Sequence, residues 1–179
     1  MYKKLRYRCV VQRAKHAEVC IDDVSQGKLD YGLVVFLGFG FAEKVEIDLL
    51  EEQQNNLNLY LDYHHQALSK LVDKLLLLRV FEDAQGKMNH SIKDICGGFY
   101  IISQFTLFAD CRKSNRPHFL FAANKLIAEP MYEKFLQILK LKAANLPIFH
   151  GQFAADMKVS FCNDGPVTLI IESDAKGIV

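Results

Sequence analysis

Gly32-Leu33-Val34-Val35-Phe36-Leu37-Gly38 is apolar at every position between its two glycines. A strand with one wet face alternates apolar and polar side chains, so this unbroken run predicts a strand buried on both faces. Phe99-Tyr100-Ile101-Ile102, preceded by Gly97-Gly98, has the same character. Between these two runs the period changes. Leu68, Leu71, Val72, Leu75 and Leu76 recur at three- and four-residue spacing, which is one face of a helix. Weaker helical patterning reaches back through Val45, Leu49 and Leu50, giving a long helical segment over about 43–78 with a break near Asn55-Asn56. A second helix shows Tyr132, Phe135, Ile138 and Leu139 on one face, and Pro130 either opens it or kinks a longer helix from Asn124.

Shorter strand candidates flank these elements. Arg8 to Arg13 is β-prone, and Ala17 to Asp22 alternates in part, with Gly27 dividing it from the Gly32–Gly38 run. Glu82 to Asn89 contains Asp83 and Gly86 and predicts a turn between short strands. Lys158–Cys162 and Val167–Glu172 are two further strands joined by Asn163-Asp164-Gly165-Pro166. Strands outnumber helices and do not alternate with them regularly, which predicts an α+β fold with one main sheet system. A length of 179 residues, with no internal repeat or linker, predicts a single domain over 1–179.

The chain is 50% hydrophobic and 24% charged, which excludes disordered and low-complexity classes. Its net charge of +1 argues against non-specific coating of nucleic acid but leaves local contacts with an RNA end open. Cys9, Cys20, Cys96, Cys111 and Cys162 include no C-x-x-C pair, so neither a zinc site nor a disulfide framework is expected. The basic start at Lys3, Lys4, Arg6 and Arg8 is not followed by an apolar leader segment, and no run is long enough to span a bilayer. The expectation is a cytoplasmic protein without a membrane partner.

Common enzyme signatures are missing, among them G-x-S-x-G, H-E-x-x-H and both Gly-rich phosphate loops. The adjacent pair His64-His65 cannot share one helix face and reads as solvated surface. Two segments remain. Ser103-Gln104-Phe105-Thr106-Leu107-Phe108-Ala109-Asp110 follows a buried strand, and is either a plain polar turn or a strand end whose free amides could stabilise an oxyanion. Asn163-Asp164-Gly165-Pro166-Val167-Thr168 is a turn by composition alone.

Taken together, Ser103-Gln104-Phe105-Thr106-Leu107 and Asn163–Thr168 resemble the two signature motifs of the D-aminoacyl-tRNA deacylases. Val11-Gln12-Arg13, Gly32–Gly38, Arg79-Val80-Phe81-Glu82-Asp83, Gly86-Lys87-Met88-Asn89, Arg116-Pro117 and Gly151–Ser160, which includes Met157, match in order and spacing. The resemblance covers Arg8 to Glu172. It implies a mixed, mostly antiparallel sheet with packed helices, and a homodimer with composite active sites. It also implies hydrolysis of the ester between a D-amino acid and the 3′-terminal adenosine of tRNA, with neither cofactor nor metal and no DNA partner. Glycine mischarged on tRNA is an implied second substrate.

On that resemblance Ser103, Gln104, Phe105 and Thr106 are the catalytic set, with the Phe105 and Thr106 amides as the oxyanion site. Gly165 and Pro166, joined by a cis bond, reject L-amino acids through their carbonyls. Asn163, Val167, Thr168 and Met157 complete the substrate-binding set, and Arg13 fixes the Gly-Pro loop. The chain departs from the pattern in its extra residues 1–7, in the long stretch between Gly38 and Arg79, at Pro130, and in Cys111-Arg112-Lys113-Ser114-Asn115. Two other readings compete with a proofreading hydrolase. One is a catalytically silent RNA-binding module using Lys3, Lys4, Arg6, Arg8, Arg13, Lys15, Arg112, Lys113 and Arg116, of which the first four read best as solvated charges. The other is a thiol hydrolase using Cys111 or Cys162.

Overall fold

The computed structural model describes residues 5–43 and 56–179. Two long strands organise it, β1 (Leu5–Ile21) and β2 (Val24–Phe41), paired antiparallel along their lengths. They are followed by α1 (Leu57–Leu77), the short strands β3 (Phe81–Glu82) and β4 (Met88–His90), and then β5 (Gly98–Ser103). A 3-10 turn (Phe105–Phe108), α2 (Lys125–Lys142), β6 (Ile148–His150), β7 (Lys158–Asp174) and β8 (Gly177–Ile178) complete the chain. The main sheet runs β6-β5-β2-β1-β7-β8. Its β6–β5 and β5–β2 pairs are parallel and the rest antiparallel. The expected α+β fold with a mixed, mostly antiparallel sheet is therefore observed.

The doubly buried strands occupy the middle of that sheet. Leu33, Val35 and Leu37 of β2, with Phe99 and Ile101 of β5, join both helices in the larger apolar core. Val34, Tyr100 and Ile102 point the other way into a smaller cluster with Ala14, Ala17, Val19, Ile21 and Leu29. The helical stripe Leu68, Leu71, Val72, Leu75 and Leu76 is buried in the larger core as its spacing predicts. Helix α2 begins at Lys125 with the Asn124 side chain accepting from the Ile127 amide, and Pro130 lies inside it. The longer helix from Asn124 is thus the correct alternative. The helical pattern at Val45, Leu49 and Leu50 lies outside the described residues, as do Lys3 and Lys4.

Several local readings are corrected. Arg8–Arg13 and Ala17–Asp22 belong to one strand, because the irregularity between Lys15 and Glu18 changes the alternation without ending the pairing. His16 sits there at φ +54, and the buried positions pass from the helix side (Tyr7, Cys9, Val11) to the opposite side (Ala17, Val19, Ile21). The reversal comes at Asp22-Asp23 (φ +49 and +62) rather than at Gly27, two left-handed residues in a row being what a tight hairpin needs. His64 is fully buried, hydrogen-bonded through Nδ1 to the Tyr7 hydroxyl and ringed by Tyr60 and Tyr63 at centroid distances of 4.5 and 5.1 Å. His65 stays exposed.

The segments 158–162 and 167–172 are also not joined by a reversal. Both pair antiparallel with β1 and form one strand, β7. Gln12 pairs with Thr168 and Ala14 with Asn163, so Asp164, Gly165, Pro166 and Val167 all stand opposite Arg13. The Gly-Pro motif is an outward excursion of a continuous strand, which explains its turn-like composition.

Candidate active site

Strand β5 ends at Ser103, and the Gln104 amide still reaches back to the Leu37 carbonyl (2.8 Å) before the chain closes into the 3-10 turn. The turn's ladder starts at the Leu107 amide, which donates to Gln104 O (3.4 Å), followed by Ala109 N to Thr106 O (3.0 Å). The Phe105 and Thr106 amides precede the first of these bonds, so the ladder does not consume them. Gln104 Nε2 donates to the Thr106 hydroxyl. Both Phe105 and Thr106 are exposed.

A cavity of about 500 Å³ opens beside the turn. Ser103, Gln104 and Phe105 form one wall, Leu37–Phe39 the floor, Ala128 and Lys125 of α2 another side, and Phe153 to Met157 the rim. The structure thus brings Ser103, Gln104, Phe105 and Met157 together. Thr106 stands next to them in the turn but does not line the cavity, and neither do Asn163, Gly165, Pro166, Val167, Thr168 or Arg13.

These latter residues form a second cluster on the β7 excursion, and there the Gly165–Pro166 peptide is cis. Asn163 braces the loop from both ends, accepting from the Val167 amide (3.1 Å) and donating to Thr168 Oγ1 (2.9 Å), which also accepts from Gln12 (3.1 Å). Arg13 lies beneath and is only 4% exposed. Its Nε donates to the Asp164 carbonyl (3.0 Å) and its Nη1 to the Val80 carbonyl (2.8 Å), and its Nη2 faces Glu82 (3.4 Å). The guanidinium therefore binds the backbone of the excursion directly, at the Asp164 carbonyl.

Lys15 Nζ donates to Asp164 Oδ1 (2.9 Å). That hydrogen bond, helped by the charges of Lys15 and Arg13, holds the Asp164 carboxyl below the usual carboxylate range. A depressed folded-state pKa means that its stabilisation is full above the ordinary Asp value and is lost as pH falls through the lowered one. Lys15→Met is expected to move the Asp164 titration, followed by carboxyl NMR, upward toward that of a free aspartate. An unmoved titration would remove Lys15 from the clamp.

Arg8 also departs from its sequence reading. Arg8, read as a solvated charge, is half-buried and holds the back of the 3-10 turn. Its Nη1 donates to the Leu107 carbonyl (2.6 Å), its guanidinium lies over the Phe108 ring (5.0 Å), and Glu172 of β7 binds its Nε (2.6 Å). The alternation of β1 was a usable signal only for its apolar side, since Arg8 points away from the helices. Cys111 and Cys162 are exposed, and Cys9 is buried, its thiol pushed up to about 12. Burial is the cause of that shift.

The family model described as D-Tyr-tRNA(Tyr) deacylase matches residues 10–172, both clusters included. A "D-aminoacyl-tRNA deacylase" of Chloroherpeton thalassium is 41% identical over 94% of this chain and 97% of its own length. Another of that name, from Limosilactobacillus reuteri, is 43% identical over 92% of this chain and 99% of its own. A solved structure called "c-Myc DNA Unwinding Element Binding Protein" superposes with a TM-score of 0.75 at 32% identity, covering 93% of this chain and 99% of that one. A "probable eukaryotic D-amino acid tRNA deacylase" superposes at 0.71 with 14% identity and the same coverage, which shows the fold alone. Because the matched stretch runs from within β1 through the 3-10 turn to the Gly-Pro excursion and beyond, this chain belongs to the D-Tyr-tRNA(Tyr) deacylase family.

Proposed function

We infer that this protein hydrolyses the ester bond of D-aminoacyl-tRNA, releasing the D-amino acid and free tRNA. The observation that carries this is the Ser103–Phe105 wall of an open cavity in a chain whose family match spans 10–172. The terminal adenosine occupies the cavity, with Met157 against it. Its ester carbonyl lies beside the turn. Water adds to that carbonyl, the Phe105 and Thr106 amides bind the developing oxyanion, and the ribose 3′-oxygen leaves with a proton. The neighbouring 2′-hydroxyl assists. An aminoacyl ester is activated, so no protein nucleophile is required; Ser103, Gln104 and the Thr106 hydroxyl orient the groups. Deacylation of D-Tyr-tRNA against L-Tyr-tRNA tests the function, and equal rates on the two would overturn it.

The selectivity step needs a second chain. Gly165 and Pro166 are exposed and do not line their own chain's cavity, which supports a homodimer in which each excursion enters the partner's site. Both helices contribute to the larger core, whereas Phe36, Phe149, Val159 and Phe161 stay half-buried on the opposite face. That face supports the interface. The Gly165 and Pro166 carbonyls would then stand where an L side chain points and reject it by contact. Achiral glycine passes the same wall. A tRNA substrate supports a cytoplasmic localisation.

Thr106→Ala and Cys111→Ala are each expected to keep D-Tyr-tRNA deacylation within about ten-fold of wild type, since backbone amides do the work. Background-level activity in folded Thr106→Ala would assign the chemistry to its hydroxyl, and in Cys111→Ala to a thiol.

A further inference from the structure

The cavity accounts for one nucleoside, yet the substrate reaches it as a single strand. Ten consecutive residues beside the cavity, Cys111 to Leu120, are exposed. They are not loosely held. Asp110 and His118 exchange both backbone hydrogen bonds (2.7 and 3.0 Å), the Ala122 amide donates to Phe119 O (3.1 Å), and the Asp110 carboxylate chelates Arg112 (2.8 and 2.9 Å). At the end of this braced loop the Phe119 ring, 41% exposed, meets the Phe105 ring edge-on at a centroid distance of 5.1 Å, and Phe105 is 54% exposed and lines the cavity. Lys113 and Arg116 are exposed on the same loop, and their side chains form no ion pair among the described residues.

An exposed aromatic pair at the mouth of a reactive cavity, with cations one loop away, is the chemistry that holds single-stranded RNA. Bases stack on the ring faces while the cations meet the phosphates. We propose that the Cys111–Leu120 loop grips the strand immediately 5′ of the terminal adenosine, with Phe119 as the stacking platform for the penultimate base and Lys113 and Arg116 on the phosphates. This deepens the deacylase reading and rests on the adenosine occupying the Ser103–Met157 cavity. It places strand recognition on the same turn that carries the candidate oxyanion amides, because Phe105 belongs to both.

Two substrates separate the contributions: D-tyrosyl-tRNA, and D-tyrosyl adenosine, which has no 5′ strand. Phe119→Leu keeps an apolar side chain but loses the flat face. It is expected to raise KM for D-tyrosyl-tRNA roughly ten-fold or more, the scale of one lost base stack. It should leave kcat, and all kinetics on D-tyrosyl adenosine, within about two-fold, because the lost stack acts on the strand alone. Phe119→Trp is expected to restore the tRNA value. Equal losses on both substrates would make Phe119 a mere support for the Phe105 turn, and no loss on tRNA would remove the base contact; either overturns the proposal. Met157→Ala probes the cavity independently and is expected to weaken both substrates alike. If it weakens neither, the cavity assignment fails, and a tRNA-only loss in Phe119→Leu would still establish the strand contact.

Discussion

Arg13→Ala is expected to reduce the preference for D-Tyr-tRNA over L-Tyr-tRNA by about ten-fold or more, the scale of one lost charge-assisted hydrogen bond, while slowing the D-substrate only a few-fold. The reasoning starts from the excursion of β7. Four residues stand opposite Arg13, and without it the Asp164 carbonyl loses its donor. The side chain also fills the space beneath Gly165, where an added Cβ would come within 3.0 Å of Nη2 and 2.9 Å of Val167 Cγ2. A wall made of backbone carbonyls discriminates only while it is held still. Asn163 and Lys15 would keep the loop folded in the variant, so D-substrate hydrolysis survives. Arg13→Lys should be intermediate, because one ammonium cannot reach Asp164, Val80 and Glu82 with the fixed fork of a guanidinium. The measurement is paired deacylation rates in a variant whose assembly is checked by sedimentation. An unchanged ratio in an intact protein would return Arg13 to a purely structural role.

The parts of the fold legible in the sequence are those where one physical rule dominates. Leu33–Val35 and Phe99–Ile102 are buried on both faces, so no alternation competes with the reading. Leu68 to Leu76 meets a single core, so a helical stripe suffices. Where two effects meet, the pattern misleads. The parity of β1 changes at His16, which made one strand look like two. Gly165 and Pro166 signal a turn, yet the strand continues past them because β1 pairs on both sides. The rule that neighbours on a helix diverge correctly excluded a shared site for His64 and His65. It could not say that one of them would be buried against Tyr7.

The candidate site divides in a similar way. Ser103–Thr106 could be found as a strand end, but amides carry no residue-type signature, so only the resemblance made it a candidate active site. Arg13 and Arg8 look alike in sequence as charges on one β-prone run. Arg13 is oriented toward the loop and Val80, whereas Arg8 crosses to Leu107 and Glu172. Their partners are distant in sequence, which no local pattern contains.

Gly38 is the other position where a small change should have a large effect. It pairs with Arg8 in the sheet and lines the cavity floor directly under the 3-10 turn. A Cβ placed there would lie 2.6 Å from the Gln104 carbonyl oxygen and 3.2 Å from Leu107 Cβ. The first of these is backbone and cannot rotate away, so Gly38→Ala must lift the turn that holds the Phe105 and Thr106 amides. Arg8 pulls on the same turn from behind through Leu107 O (2.6 Å), so the displaced turn also works against that bond. Overpacking of this kind costs about 1–3 kcal/mol of stability, which a folded protein of this size withstands. Catalysis is more sensitive, because an oxyanion donor displaced by a fraction of an ångström no longer meets the developing charge, and a shift of about 1 Å can cost about a hundred-fold. The expected result is a protein with near-native circular dichroism, a modestly lowered Tm, and kcat on D-Tyr-tRNA reduced by about 10- to 100-fold, the same sensitivity of donor placement setting that scale. The D-over-L ratio should hold, since the Gly165–Pro166 loop is untouched. A kcat within about two-fold of wild type, well short of what a displaced donor costs, would show that the turn's position does not govern the reaction and would move the oxyanion site elsewhere.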